Sequence, residues 1–170
     1  METIDPILTR RSVRSFKPKA VDQADLEVLL RAAMQTPSSS NSQPWQFVVI
    51  TDRRMLDAGR EFHPFSSALR TAPLAILVCG DSRLEMGTGR WVQGCSAAAQ
   101  NLLLAAHAKG LGVVWLGIQP EEQRIQGGIR LTNLPSGVHP LALIAIGYPA
   151  GEHESAMSRF QPDRVHYNGW

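Results

Sequence analysis

Cysteine is scarce: the 170 residues hold two, Cys79 and Cys95. They stand too far apart for a metal knuckle or a C-x-x-C redox pair, and their apolar or small neighbours suit reduced core thiols. No apolar run approaches the ~20 residues that cross a bilayer. The start, Met1-Glu2-Thr3-Ile4-Asp5, lacks the pattern of a secretory signal, so the cytoplasm is the expected compartment. Charge of one sign is also in short supply, with 17 Lys+Arg against 15 Asp+Glu. Basic residues cluster only at 10–14, so nucleic-acid binding is not expected. The histidines, at 63, 107, 139, 153 and 166, show no metal-ligand spacing, and His107 reads as a packed side chain. There is no Gly-x-Ser-x-Gly elbow for a serine hydrolase. Gly87-Thr88-Gly89-Arg90 lacks the third glycine and the preceding strand of a dinucleotide turn.

Hydrophobic content of 44% and charged content of 19% are those of a folded globular chain, and the length suits one domain spanning 1–170. Asp5-Pro6 opens a short helix ending near Ser12. Asp22 caps a second, with Leu26, Leu29, Leu30 and Ala33 as its apolar stripe and Pro37 as its stop. Phe47–Ile50 and Pro73–Gly80 read as buried strands, with a helix over 52–62 that breaks at His63-Pro64-Phe65. The longest helix runs from about Arg90 to Lys109, apolar on nearly every face, as expected in a core or a subunit interface; Gly110 ends it. A strand over Val113–Leu116, a short helix from Pro120 to about Gln126 and a strand over Leu141–Ile146 follow. The remaining tail, 150–170, is polar but carries Phe160, Tyr167 and Trp170, which predicts an extended arm lying on a protein surface.

Two polar segments concentrate the chemistry. In Thr9-Arg10-Arg11-Ser12-Val13-Arg14-Ser15-Phe16, Arg10 and Arg14 share a face if the helix continues. Guanidinium forks bind phosphate bidentately and stay charged; the other reading is a basic helix end meeting its own dipole. Pro37-Ser38-Ser39-Ser40-Asn41-Ser42-Gln43-Pro44-Trp45 is either an ordinary linker or, since it leads straight into a core strand, a binding loop on a rigid support. No acid, base, nucleophile or metal cluster accompanies them. That combination suits a planar phosphorylated cofactor that brings its own redox chemistry.

Arg-Arg-Ser-Val-Arg-Ser-Phe at 10–16 and Pro-Ser-Ser-Ser-Asn-Ser-Gln-Pro-Trp-Gln-Phe-Val-Val at 37–49 resemble the two N-terminal signatures of the nitroreductase family of flavoproteins. Ala-Gln-Asn-Leu-Leu-Leu-Ala-Ala-His-Ala-Lys-Gly-Leu-Gly at 99–112 is similar to its central interface helix. Trp115-Leu116-Gly117 and the ending from Arg159-Phe160 to Trp170 fit the short-chain branch. The resemblance implies an α+β fold: a mostly antiparallel central sheet flanked by helices, with the C-terminal extension exchanged with the partner subunit.

It further implies FMN at the interface of a homodimer. Arg10, Arg11, Ser12, Arg14 and Arg159 would hold its phosphate and polar edge. Pro37, Ser38, Ser39 and Asn41 would approach from the partner, and Leu116 and Gly117 would border one ring face. Gly94 departs from the acidic residue frequent in short relatives, and the excursion that roofs the pocket in larger members is missing, so residues around His63, Pro64 and Phe65 are expected to contact substrate. The implied activity is NAD(P)H oxidation, with hydride passing through FMN to a nitroaromatic, quinone or similar acceptor. A flavin-binding protein without turnover, or one whose substrate is the flavin itself, remains an alternative.

Overall fold

A computed structural model describes residues 4–85, 89–151 and 157–170. Gly87-Thr88 and His153 lie outside these ranges.

Four antiparallel strands form the sheet: β1 (Trp45–Ile50), β2 (Leu74–Asp81), β3 (Gly112–Gly117) and β4 (Val138–Gly147), in the order β1-β2-β4-β3. Among the described residues five α-helices accompany them: α1 (Ile4–Thr9), α2 (Gln23–Met34), α3 (Arg53–Phe62), α4 (Trp91–Ala108) and α5 (Glu122–Thr132). The expected α+β class is the one observed.

The period-two alternation of β2 divides the apolar interior. Leu74, Ile76 and Val78 join Leu29 and Ala33 of α2 and Cys95, Ala98 and Leu102 of α4 on one face. Ala75, Leu77 and Cys79 join Leu56 of α3, Leu69, Val114 and Leu143 on the other, with Ile125 and Leu131 of α5 packed against them. A sheet with both faces covered has strands that read as unbroken apolar runs, and β2 is buried along its whole length.

Several expected boundaries and environments move, each for a physical reason. The helix expected to reach Ser12 ends at Thr9. Val13 donates its N–H to Val113 O at 2.9 Å, and Val13 and Phe16 are buried, so residues 12–16 run extended beside β3 instead of placing Arg10 and Arg14 on one helical face. Asp22 occupies the N-cap position just before α2, as expected, but its side chain makes no cap hydrogen bond there; it accepts from the Tyr148 hydroxyl at 3.4 Å. β1 begins two residues early and is an edge strand, with Gln46 and Val49 exposed, where full burial was expected.

β4 runs through Pro140 because the register with β2 shifts there, pairing Val78 with Ala142 and Cys79 with Pro140. A bulge tolerates proline, which cannot donate to a regular ladder. α5 continues past Gln126 because Gly127 and Gly128 serve packing: a Cβ on Gly127 would lie 2.2 Å from Phe62 Cγ.

The stop of α4 follows expectation. Gly110 has φ +73°, its N–H donates to His107 O, and Leu111 N–H reaches Ala106 O at 2.9 Å. This is the paired-bond ending that a left-handed glycine permits. Within the single chain α4 is not buried on most sides, for Val92, Gln93, Ala97 and Gln100 remain exposed. The arm from Met157 to Trp170 is exposed throughout.

Candidate functional site

The extended run after α1 builds a basic cradle. Val13 and Phe16 anchor it inward, Phe16 N–H donates to Thr71 Oγ1 at 3.1 Å, and Lys17 N–H to Tyr148 O at 2.8 Å. Ser12 and Arg14, on either side of buried Val13, are exposed. The arm then brings Arg159 alongside, so that Arg10, Arg11, Ser12, Arg14 and Arg159 line one cavity of about 220 Å³. All five predicted phosphate-side residues therefore meet, although no helix aligns them.

The electrostatics of this cradle favour an anion. None of the ion pairs among the described residues involves these four arginines. Partial burial, and after it the repulsion of Arg159 and Arg11, lowers the pKa of Arg10. Guanidinium nevertheless stays protonated in proteins, so like charges are held together with no ion-pairing carboxylate among the described residues. A phosphate monoester would relieve that repulsion.

Next to the cradle, α1 packs on α4 through Thr9, whose Oγ1 lies 2.8 Å from His107 Nε2. Burial, then the nearby Arg10, lowers the pKa of His107.

The serine-rich loop forms a separate cavity of about 460 Å³, in which Pro37, Ser38 and Ser39 face Arg90, Gln93, Gly94 and Ala97. Its backbone is unusual: Ser40, Asn41 and Gln43 have φ of 51°, 53° and 47°, a left-handed region costly for residues with a Cβ. Local bonds hold it, from Gln43 N–H to Ser38 Oγ at 2.9 Å and from Gln43 Nε2 to Asn41 Oδ1 at 3.0 Å. Asn101 on α4 fixes the approach, donating to Thr36 Oγ1 at 2.8 Å and to Ala32 O at 3.3 Å. This loop shares no lining residue with the arginine cradle of the same chain. A Cβ on Gly94 would meet Ser38 Cβ at 3.7 Å, an ordinary contact, so the loop does not itself require glycine there.

At the end of β3 the predicted pair divides. The Leu116 side chain is buried in the second core, and Gly117 is half-buried. The Gly117 carbonyl lies 2.9 Å from His63 Nε2 and accepts from Arg124 Nη1 at 3.0 Å. Phe65, 71% exposed, stands edge-on to His63 with ring centroids 6.4 Å apart.

The sequence reading placed His63 and Phe65 near substrate but missed Arg90, which donates to Ser39 Oγ at 3.1 Å, and Arg124. Arg124 lies within the expected short helix, but its partner, the Gly117 carbonyl, is brought to it by the fold and not by the helix pattern. In the sequence Arg90 closes a rejected dinucleotide turn, and nothing in its local sequence points to Ser39, 51 residues away.

Elsewhere, Ser82 Oγ lies 3.0 Å from His139 Nε2 beside Asp81, a grouping that superficially suits nucleophilic catalysis. Both Asp81 oxygens instead bind Arg83, at 2.8 and 2.7 Å, and His139 stacks on Trp91. No group of three or more potential metal ligands occurs among the described residues, nor any helix long and apolar enough to cross a membrane.

A two-faced antiparallel sheet with an arginine cradle at one strand edge defines an α+β protein built to receive an anionic ligand. The sequence model of the Nitroreductase family matches residues 7–68 and 63–148. The chain belongs to the Nitroreductase family. It is 44% identical over 170 residues to a Methanothermobacter thermautotrophicus protein named "Putative NADH dehydrogenase/NAD(P)H nitroreductase", covering 100% of this chain and 88% of the relative. A crystal structure bearing the same name from Parabacteroides distasonis superimposes with TM-score 0.94 at 40% identity, over 99% of this chain and 98% of that one. A Desulfovibrio desulfuricans nitroreductase solved in complex with FMN gives TM-score 0.85 at 30% identity, over 100% and 98% of the two chains.

Proposed function

We propose that this protein is an FMN-dependent NAD(P)H oxidoreductase of nitroaromatic, quinone or similar acceptors, working as a homodimer. The observation that carries this reading is the cradle of Arg10, Arg11, Arg14 and Arg159 around one small cavity, repulsive without an anion and of the chemistry that grips a phosphate monoester. The family, the NAD(P)H named for the Methanothermobacter relative and the FMN complex of the Desulfovibrio one support it.

In this reading Arg10, Arg11, Ser12, Arg14 and Arg159 hold the phosphate and polar edge of FMN, and the Gly117 backbone lies along its ring. Pro37, Ser38, Ser39 and Asn41 of a second copy close the site, which accounts for the separation of the two cavities within one chain. The strained loop backbone is held in advance, so little ordering cost remains at binding. When bound, FMN supplies hydride transfer at its N5, from nicotinamide to acceptor. The protein's part is to bind, to align the stacked rings near attack distance and to limit water; no titrating side chain is needed.

Dimerisation is supported by three exposed features: the stripe on α4, the β1 edge, and the arm with Phe160 at 76%, Tyr167 at 85% and Trp170 at 104% exposure. A large apolar side chain standing free is common singly, but several together mark a contact surface. The two cores share one sheet, which supports a single FMN-binding domain, and the buried free thiols Cys79 and Cys95 suit a reducing cytoplasm.

Absorbance of the purified protein, followed by anaerobic titration with NADH and NADPH, tests the reading. A flavin spectrum that bleaches on a catalytic timescale is expected. A yellow protein that neither nicotinamide bleaches is a flavin carrier, and one that refuses FMN ends the proposal.

A further inference from the structure

Buried histidine is costly unless both ring nitrogens are used. His63 is 2% exposed, yet its Nδ1 is buried without a hydrogen-bond partner among the described residues. Its Nε2 faces a carbonyl oxygen, that of Gly117 at 2.9 Å, so Nε2 must carry the proton and donate. Burial, the main cause, and the nearby Arg124 lower the imidazole pKa against the opposing hydrogen bond to Gly117, so the net shift favours the neutral ring. An apolar ring would fill the same space without leaving a bare nitrogen. What the histidine adds is a donor aimed at Gly117.

A second donor arrives from another element. Arg124, in the first turn of α5, donates from Nη1 to the same Gly117 oxygen at 3.0 Å. The loop carrying His63 is itself tied down, because the His63 carbonyl accepts from both the N–H and the hydroxyl of Ser66. Phe65 folds over the pair, its ring centroid 5.8 Å from the Arg124 guanidinium carbon.

The strand register says what this fixes. Ile118 N–H donates to Leu141 O at 3.0 Å, so in the antiparallel alternation the even residues of β3 pair with β4 and the odd ones turn their N–H and C=O away from it. Val113 obeys this, offering its carbonyl to Val13. Gly117 obeys it too, so its N–H lies on the same free side of the sheet as the carbonyl that His63 and Arg124 hold. Glycine, with no Cβ, lets a ligand approach that backbone closely.

We propose that His63 and Arg124 are positioning residues that clamp the Gly117 carbonyl and thereby hold the Gly117 N–H at a fixed angle to the ring of bound FMN. The proposal rests on the flavin reading of the site. It requires neither residue to touch the cofactor or to exchange a proton.

Four forms of the protein test it: wild type, His63→Leu, His63→Gln and Arg124→Ala. Glutamine carries an amide N–H at about the reach of Nε2, whereas leucine fills space without a donor. In His63→Leu and Arg124→Ala, FMN is still retained, because the phosphate clamp is untouched. The Gly117 amide exchanges faster in the flavin-free protein, the absorbance maximum of bound FMN shifts, and reduction by nicotinamide slows by roughly ten- to a hundredfold, the scale of an ångström misplacement. His63→Gln restores all three. Wild-type behaviour in both donor-less variants overturns the proposal, as does equal loss in His63→Gln and His63→Leu, which would mean packing alone. Arg124 is half-exposed, so Arg124→Ala decides the matter if His63→Leu does not fold. Wild-type protein that takes up no FMN overturns both this proposal and the function it rests on. FMN that binds but is not reduced ends only the enzyme reading, because amide exchange and absorbance still decide the clamp.

Discussion

Arginines gathered without an ion-pair partner among the described residues are the sharpest feature of individual side chains here. Removing one guanidinium that would meet a phosphate forfeits a charge-assisted bond of about 1.5–3 kcal/mol. Arg14→Ala should therefore weaken FMN binding by roughly ten- to a hundredfold, read by titration of flavin fluorescence; unchanged affinity would remove Arg14 from the cradle. Asn41→Ala should also weaken retention, by loss of the Gln43 contact that holds the loop.

The histidines make a separate prediction about acid. His63 and His107 both have pKa values lowered from the ordinary 6.5, burial being the first cause in each. The unfolded chain therefore binds more protons than the folded one as the pH falls past 6.5. Their contribution to stability is present in full above that value and is lost as the pH drops through the lowered folded values. Urea unfolding on either side of pH 6.5 should show this decline, and His63→Gln should make it shallower. Of these residue features, the arginine and serine clusters were legible as composition in a short window. The bare Nδ1 of His63 was not, because a partner 54 residues away leaves no trace in local sequence.

Helices and strands followed the sequence wherever a local rule governed them and departed from it where a distant surface did. Leu111 and Gly110 end α4 as an αL glycine should. The last strand was expected to begin only at Leu141 and the helix after Pro120 to end near Gln126; a bulge at Pro140 and a close helix contact at Gly127 carried both further. This yields a paired prediction. Gly127→Ala forces a Cβ to 2.2 Å from Phe62 Cγ and should cost about 1–3 kcal/mol, as overpacking does. Gly94→Ala, with its nearest contacts at 3.7 and 3.9 Å, should be neutral or stabilise α4 by up to about 1 kcal/mol through helix propensity. Urea midpoints with unchanged slopes distinguish them. Equal effects would mean that Phe62 swings aside and that α3 and α5 are not locked together.

As a whole, the chain looks complete in its two cores and incomplete at its edges. The arm supplies Arg159 to the cradle yet leaves Phe160, Tyr167 and Trp170 in solvent. Ending the chain after Gly151 should accordingly weaken FMN retention and shift the protein toward a monomer in sedimentation, while the sheet and its helices remain folded. A truncated protein that stays dimeric with full FMN affinity would assign the arm neither task. FMN should in turn raise the apparent stability of the dimer, because a ligand that binds only the assembled form draws the equilibrium toward it.

Sequence alone determined the family and, through that resemblance, the α+β class and the place of Arg159; it determined most elements and the grouping of Arg10, Arg11 and Arg14 directly, since these rest on periodicity, local stops and residues within a few positions of one another. Only the tertiary structure decided that the arginines meet along extended backbone and not on a helix, that Leu116 turns into the core, and that His63 and Arg124 converge on one carbonyl. Those outcomes depend on which surfaces meet across the fold. Hydrogen bonds between residues far apart in the chain, such as Val13 to Val113, arise from packing that no short stretch of sequence encodes.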